Sequence, residues 1–241
     1  MRAITVSVDY ADLLEITLPR NAHHFDQVVV VTAPGDEATL RVVKGVSNAV
    51  PFVTDAFYRR GAAFNKGLAL EEGFDHLGRS GWLCIFDADT LLPPSFTSEG
   101  LELGYIHAPR RRMVVEPSQS LDAITGYDWR GFEKVNDGEP AGYCQIFHAN
   151  DPHLERRPWY GVDWQHAGGC DSDFNQHWPR TCWRWLSWEC LHLGPHGQNW
   201  NGRATLRLDG TWPEQAEARA QRQREMLRRR GTEGVTREKL T

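Results

Sequence analysis

Short apolar runs alternate with amphipathic stretches through the N-terminal part of the chain. Residues 3–8 and Gln27–Thr32 are rich in β-branched side chains, which predicts two strands. Between them, leucine and isoleucine at 13, 14, 16 and 18 have helical spacing, and Pro19 predicts the end of that helix. A weaker third strand is predicted within 42–53. A strand, a helix and a strand within about 30 residues form a βαβ unit, which predicts parallel pairing.

The clearest strand prediction is the apolar run Trp82–Phe86, which is followed at once by Asp87 and Asp89. Five apolar residues in a row predict a buried central strand, and the Leu-Leu-Pro-Pro stretch at 91–94 then turns the chain away. Ligands of open α/β sheets bind outside the carboxyl ends of the strands. Two neighbouring carboxylates repel unless a cation lies between them, and such oxygen ligands suit Mg²⁺ or Mn²⁺ beside a phosphate. The alternative interpretation is that these aspartates only shape a turn.

A helix predicted at 61–73 leads into that strand. Apolar residues at 64, 68 and 69 mark one face, and Gly73 predicts its end. The first turn offers free backbone N–H groups together with Asn65 and Lys66, which favours a phosphate there. An ordinary amphipathic helix with a solvated lysine is the alternative. Three predicted strands then end at one edge of one sheet, with polar residues at Asp9, at 32–36 and at Asp87–Asp89.

The second half of the chain is rich in tryptophan, with seven indoles between 159 and 200. Indoles fill cores and also stack on sugars and bases, so most are predicted to be structural and one or two to line an acceptor cleft. A further strand is predicted at 142–149. The Gly-Gly-Cys-Asp-Ser-Asp-Phe stretch at 168–174 allows a sharp turn and places Asp171 and Asp173 at a helix start, where capping is the alternative role. His192, in a short predicted strand, is a candidate third ligand beside Asp87 and Asp89.

Composition limits the alternatives. The chain has 241 residues, 40% of them hydrophobic, without repeats or a clear linker, which predicts a globular α/β protein. A net charge of −5 does not indicate general nucleic-acid affinity. We expect a cytosolic protein, since no signal peptide and no apolar run of about 18 residues is found.

The five cysteines lack a CxxC pair, so buried free thiols are favoured over a zinc site. Residues 213–230 predict a solvated basic helix, with contact to an anionic acceptor or membrane as the alternative.

Taken in order, these motifs resemble those of nucleotide-sugar-dependent glycosyltransferases of the GT-A fold, near family 2 and the galactosyltransferase-like C-terminal type. The resemblance covers residues 3–205. It rests on the first two strand ends, on 61–67, on the Asp-x-Asp at 86–89 and on 168–174 followed by a histidine. It implies an α/β, Rossmann-like, mixed and mainly parallel sheet flanked by helices in a single domain at 1–212. Residues 1–93 would form the nucleotide-sugar and metal half, 94–212 the acceptor half, and 213–241 a basic C-terminal helix and tail.

The same resemblance implies the site residues. Asp87, Asp89 and His192 would hold Mn²⁺ or Mg²⁺, with His196 as the alternative histidine ligand, and Asp171 would be the catalytic base. Cys170 stands where the family usually has a glutamate, and the second strand lacks the usual Asp-Asp-Gly-Ser run. The residues implied in nucleotide-sugar binding are Val8, Asp9, Tyr10, Thr32, Asp36, Asn65, Lys66, Asp87 and Ala88.

The implied activity is metal-dependent transfer of a sugar, typically a hexose, from a UDP-sugar to an acceptor hydroxyl, with inversion at the anomeric carbon. The acceptor would be a glycan or a modified base in phage-type DNA, and a phage-encoded enzyme would work in the host cytoplasm. One alternative is a sugar nucleotidyltransferase, which needs a glycine-rich loop where this chain has the Asp-Tyr-Ala-Asp stretch at 9–12. The other is a carbohydrate-binding module that uses the tryptophans, although such a module does not require Asp87, Asp89, Asp171 and His192.

Overall fold

A computed structural model describes residues 1–195 and 197–233. In this part of the chain the strands are β1 (Arg2–Val6), β2 (Gln27–Thr32), β3 (Ala49–Val53), β4 (Trp82–Phe86), β5 (Thr90–Leu91), β6 (Ile106–Val114), β7 (Glu133–Val135), β8 (Cys144–His148) and β9 (Trp183–Leu193). The α-helices are α1 (Ala11–Ala22), α2 (Glu37–Lys44), α3 (Lys66–Leu77), α4 (Leu121–Thr125), α5 (Cys170–Asn175) and α6 (Ala216–Glu233).

All described strands join one mixed sheet, with the order β3-β2-β1-β4-β8-β6-β9-β5 and with β7 paired to β6. The strands β3, β2, β1 and β4 are parallel, whereas β8 runs antiparallel to β4 and to β6. The predicted fold class, a mixed α/β sheet flanked by helices in one domain, is confirmed. Of the described helices, none combines the length and the apolar character needed to cross a membrane.

The central strands are apolar throughout because both faces of the sheet are covered. Ile4, Val29 and Ile85 lie on the face that packs against α3. Their neighbours in sequence point to the opposite face, where Val28 and Cys84 meet α1 and α2. The prediction that Trp82–Phe86 is a buried central strand is therefore correct, since β4 lies between β1 and β8.

One predicted boundary in the first βαβ unit is wrong. Helix α1 continues through Pro19 to Ala22. Pro19 faces solvent on this helix, and the last turn is held by buried Asn21, whose side chain bonds to the Thr90 carbonyl and the Leu92 amide. The third strand predicted within 42–53 forms at Ala49–Val53. It follows a helix that was not predicted, α2, which Asp36 caps by accepting a hydrogen bond from the Thr39 amide.

The predicted helix stop at Gly73 is also wrong, because α3 runs through this glycine and ends before Gly78, which has a φ of 85°. A Cβ at Gly73 would lie 2.6 Å from Ile4 Cδ1 and 2.6 Å from Val31 Cγ2. The missing side chain thus allows α3 to pack directly on β1 and β2. Local sequence signals cannot distinguish a glycine at a helix end from one that permits close packing.

Replacing Gly73 by alanine is expected to lower the free energy of unfolding by about 1 kcal/mol, since overpacking typically costs about 2 kcal/mol and the better helix propensity returns about 1 kcal/mol. Urea denaturation measures the change. Gly131→Ala is the matched control, because a Cβ at Gly131 meets nothing within 4 Å. A Gly73→Ala protein with an unchanged or higher midpoint would show that α3 has room to move away from the sheet.

The C-terminal half of the sheet determines where the polar site forms. Strand β5 follows the Asp-x-Asp directly and pairs with β9, which places Thr90 opposite His192. Three consecutive arginines, 110–112, lie within β6, where buried Arg111 forms an ion pair with Asp137. All five cysteines are free, as predicted, and four of them are buried.

Candidate active site

The end of β4 and the pairing of β5 with β9 bring three candidate ligands together. A turn in which the Thr90 amide bonds to the Asp87 carbonyl follows β4, and the Leu193 amide bonds to the Asp89 carbonyl. As a result, His192 Nε2 lies 3.7 Å from Asp89 Oδ1. One ligand atom each from Asp87, Asp89 and His192 lies within 4.8 Å of the others. His196, the alternative histidine, lies outside the described residues.

The surroundings of this triad fit a divalent cation. His192 Nδ1 lies 3.3 Å from the Gly194 carbonyl oxygen, which can only accept, so Nε2 is left as the ligand atom. Metal-binding histidines typically donate their other N–H group in this way. Burial raises the pKa of Asp89, an effect that His192 opposes and that the Asp87 carboxylate strengthens. A cation held between these groups would offset the cost of their buried negative charge.

Lys66 connects this triad to the second half of the chain. Its side chain is buried, and Nζ lies 2.7 Å from Asp87 Oδ1 and 3.3 Å from Asp171 Oδ1. Burial lowers the pKa of Lys66, but the carboxylates of Asp171 and Asp87 outweigh this effect and raise it well above its usual range. Lys66 is therefore a fixed positive charge between two acids that lie 84 positions apart in sequence (171 − 87 = 84).

Asp171 lies in the first turn of α5, which follows Gly169 in a left-handed conformation with φ of 104°. Its carboxylate rests against the backbone of Gly142, where any Cβ would overlap it. The carboxylate of Asp173 lies against a different part of the backbone. A Cβ at Gly161 would lie 2.7 Å from Asp173 Oδ2. Sequence reasoning placed Gly142 only at the start of a strand and missed this contact, which no local pattern could have revealed.

These groups face one cavity of about 570 Å³. Such a volume is within the range of ligand-binding clefts. Two of the seven tryptophans between 159 and 200, Trp164 and Trp200, line it. The polar lining residues that sequence reasoning did not select include Arg111, Asp137, Glu139 and Gln176. The predicted site residues that line it are Val8, Tyr10, Lys66, Asp87, Ala88, Asp89, Asp171 and His192.

Four predicted nucleotide-binding residues do not line this cavity. Asp36 caps α2 and also accepts a hydrogen bond from the Asp9 amide, and both residues line a second recess beside α1 and α2. Thr32 is fully buried. Asn65 is also fully buried, where it caps α3 through the Leu68 amide and donates to the Val162 carbonyl. The contact of these four residues with a nucleotide stays a prediction.

Known structures resemble this chain only distantly. No protein-family model and no curated protein sequence matches it. A mycobacterial protein is 16% identical with a TM-score of 0.41, over 80% of this chain and 64% of that one, so this chain spans less than two thirds of its length. Glucosyl-3-phosphoglycerate synthase from M. tuberculosis is 12% identical with a TM-score of 0.46, over 100% of this chain and 87% of that one. The inositol-1-phosphate CTP transferase from T. maritima is 12% identical with a TM-score of 0.37, over 61% of this chain and 70% of that one.

Proposed function

We propose that the protein is a metal-dependent glycosyltransferase of the GT-A type, which transfers a sugar from a nucleotide-sugar to an acceptor hydroxyl. The observation that carries the proposal is the convergence of Asp87, Asp89 and His192 in a cavity that also holds the Lys66–Asp171 ion pair. These groups combine a cation site, a fixed positive charge and a separate carboxylate. Metal-dependent transfer with inversion can use each of them: the cation and the fixed charge for the leaving diphosphate, and the carboxylate for the acceptor proton.

Asp87, Asp89 and His192 would hold Mn²⁺ or Mg²⁺ together with the donor diphosphate. Carboxylates suit both ions, and one imidazole is compatible with Mn²⁺. When bound, the ion neutralises the negative charge that develops on the departing diphosphate. The pairing of His192 Nδ1 with the Gly194 carbonyl fixes the ring so that Nε2 faces Asp89.

Lys66 would support the same leaving group. Its ammonium is buried and already directed at Asp87, so it provides a positive charge that needs no reorganisation during the reaction. Lys66 is the first residue of α3, where the helix dipole also favours an anion. We therefore assign the donor diphosphate to the space between the start of α3 and the Asp-x-Asp.

Asp171 would accept the proton of the acceptor hydroxyl. It comes from the second half of the chain and shares the Lys66 ammonium with Asp87, and we assign it to the face of the sugar opposite the leaving diphosphate. Burial raises the pKa of Asp171, with Lys66 acting in the opposite direction, and the net increase makes this carboxylate a stronger proton acceptor. A base opposite the leaving group implies direct displacement with inversion at the anomeric carbon, as the sequence resemblance also implies.

A donor and acceptor screen by mass spectrometry tests this function. With Mn²⁺ present, we expect one sugar nucleotide of a panel that includes UDP-sugars to yield an acceptor heavier by one sugar residue and an equal amount of nucleoside diphosphate. The acceptor panel contains glycans and hydroxymethylated DNA, and samples with EDTA are the control.

Two results would contradict the proposal. Formation of a sugar nucleotide and pyrophosphate from a nucleoside triphosphate and a sugar 1-phosphate would identify a nucleotidyltransferase. Binding of a glycan without turnover of any donor would identify a carbohydrate-binding module.

A further inference from the structure

The C-terminal helix α6 has one buried side, although the sequence predicts a solvated helix. Ala216, Arg219, Gln223 and Met226 are buried and recur every three or four residues, so they form a single face. Arg222 and Arg224 on the other side are exposed. The helix is therefore docked on the domain through a face that carries two polar side chains, Arg219 and Gln223.

Gln223 holds the segment that follows β9. Its Nε2 donates to the Gly197 carbonyl at 2.7 Å, and its Oε1 accepts from Asn201 Nδ2 at 3.0 Å. Both partners belong to the loop 197–203, which lines the cavity through Gly197, Asn199, Trp200 and Gly202. Helix α6 thus fixes a wall of the cavity at two points.

Arg219 connects this loop to the turn after β1. Its guanidinium donates to Asp9 Oδ2 at 2.7 Å and to the Arg203 carbonyl at 3.1 Å. Gly202 leaves the necessary space, since a Cβ there would lie 3.0 Å from Arg219 Nε. Asp9 has a φ of 64°, a left-handed conformation that costs free energy in a residue other than glycine. The bond from Arg219 is one of the contacts that stabilise it.

Arg203 is a second residue that joins the loop 197–203 to the residues after β1. It is almost fully buried, donates to the Asp9 carbonyl and forms an ion pair with Asp12. Its guanidinium carbon also lies 4.8 Å from the ring centre of Tyr10, which lines the cavity. The loop 197–203 and the turn 9–12 are therefore held in one arrangement by contacts that converge on α6.

We infer that α6 is a positioning element for the nucleotide end of the cavity, with Arg219 and Gln223 as its positioning residues. They contact neither the predicted metal ligands nor Asp171, and they act through the loop 197–203 and the turn 9–12. When they are lost, Tyr10 and Trp200 lose their fixed placement and nucleotide affinity falls. This inference rests on the proposed function, because it assumes that the cavity binds a nucleotide.

Calorimetric titration of the full chain with UDP and Mn²⁺ tests the inference. Arg219→Ala and Gln223→Met are each expected to weaken UDP binding about tenfold, the effect of losing the hydrogen bonds that order the wall. Arg219→Lys keeps one charged donor to Asp9 and is expected to recover part of the loss. Arg222→Ala and Arg224→Ala, which change the exposed face of the same helix, should bind within about twofold of the wild type.

Hydrogen exchange measured by mass spectrometry on the same proteins separates positioning from general destabilisation. In Arg219→Ala and Gln223→Met we expect faster exchange in 197–203, while β1 and β4 keep their protection. Unchanged UDP affinity in both variants would overturn the inference, whether or not exchange changes. If the wild type does not bind UDP, the proposed donor is wrong. The role of α6 is then tested by hydrogen exchange alone. Unchanged exchange of 197–203 in the two variants would overturn that role, and faster exchange would support it.

Discussion

Asp89→Ala is expected to weaken Mn²⁺ binding by more than about 100-fold, because even the loss of a residue that only supports a metal ligand typically costs 10–100-fold. Asp89 is buried, and its Oδ1 lies 3.7 Å from His192 Nε2, so no other carboxylate of the triad can replace it without moving the chain. Metal-dependent binding of UDP should be lost together with the metal. Calorimetric titrations with Mn²⁺ alone and with UDP plus Mn²⁺ measure both effects.

The fold should survive this substitution. Burial raises the pKa of Asp89, which means that its charge is unfavourable in the folded protein when no cation is present. Removing the carboxylate is therefore expected to leave the melting temperature of the metal-free protein unchanged or slightly higher. Asp122→Ala, at an exposed position of α4, is the control. An Asp89→Ala protein that binds UDP and Mn²⁺ with wild-type affinity would show that the triad is not the metal site.

Asp171→Asn is expected to lower kcat by about 10²–10⁴-fold, the usual contribution of a general base. The amide keeps the size of the carboxylate, so it still fits against Gly142, but it cannot accept the proton of an acceptor hydroxyl. Donor affinity should change little, because the metal ligands are untouched. Steady-state kinetics with the donor and acceptor found by the screen give kcat and KM separately.

Asp173→Asn is the matched comparison, since Asp173 lies two residues away on α5 and lines the same cavity. Its carboxylate lies against Gly161 and not against Gly142. We expect this variant to lower stability or acceptor affinity while kcat stays near the wild-type value, with melting temperatures recorded for both proteins. If Asp173→Asn loses turnover and Asp171→Asn keeps it, the two roles must be exchanged.

The central features of the site could be predicted because each follows from one strong local signal. The apolar run Trp82–Phe86 is short and is soon followed by two prolines, which favours a buried strand, and the carboxyl ends of parallel strands meet at one edge of a sheet. The location of Asp87 and Asp89 follows from these two facts. The pairing of Thr90 with His192, which brings the histidine to them, depends on a register that no local pattern specifies.

Some roles depend on tertiary contacts that local patterns do not reveal. Asp36 follows a strand and Asn65 begins a helix, and each accepts an N-terminal amide of its own helix, a capping role that the sequence analysis did not assign to them. Gly73 ends no helix because the adjacent strands require its missing side chain. The role of Arg219 depends on Asp9, 210 residues away in sequence, so the composition of α6 could indicate only a basic surface helix.

The most direct test of the account is the release of free UDP from a UDP-sugar in the presence of an acceptor, measured with Mn²⁺ and with EDTA, for the wild type and for Asp89→Ala. Metal-dependent transfer predicts release only for the wild type with Mn²⁺, and stimulation of that release by the acceptor. Equal release by the wild type in EDTA, or by Asp89→Ala in Mn²⁺, would contradict metal-dependent transfer at Asp87, Asp89 and His192.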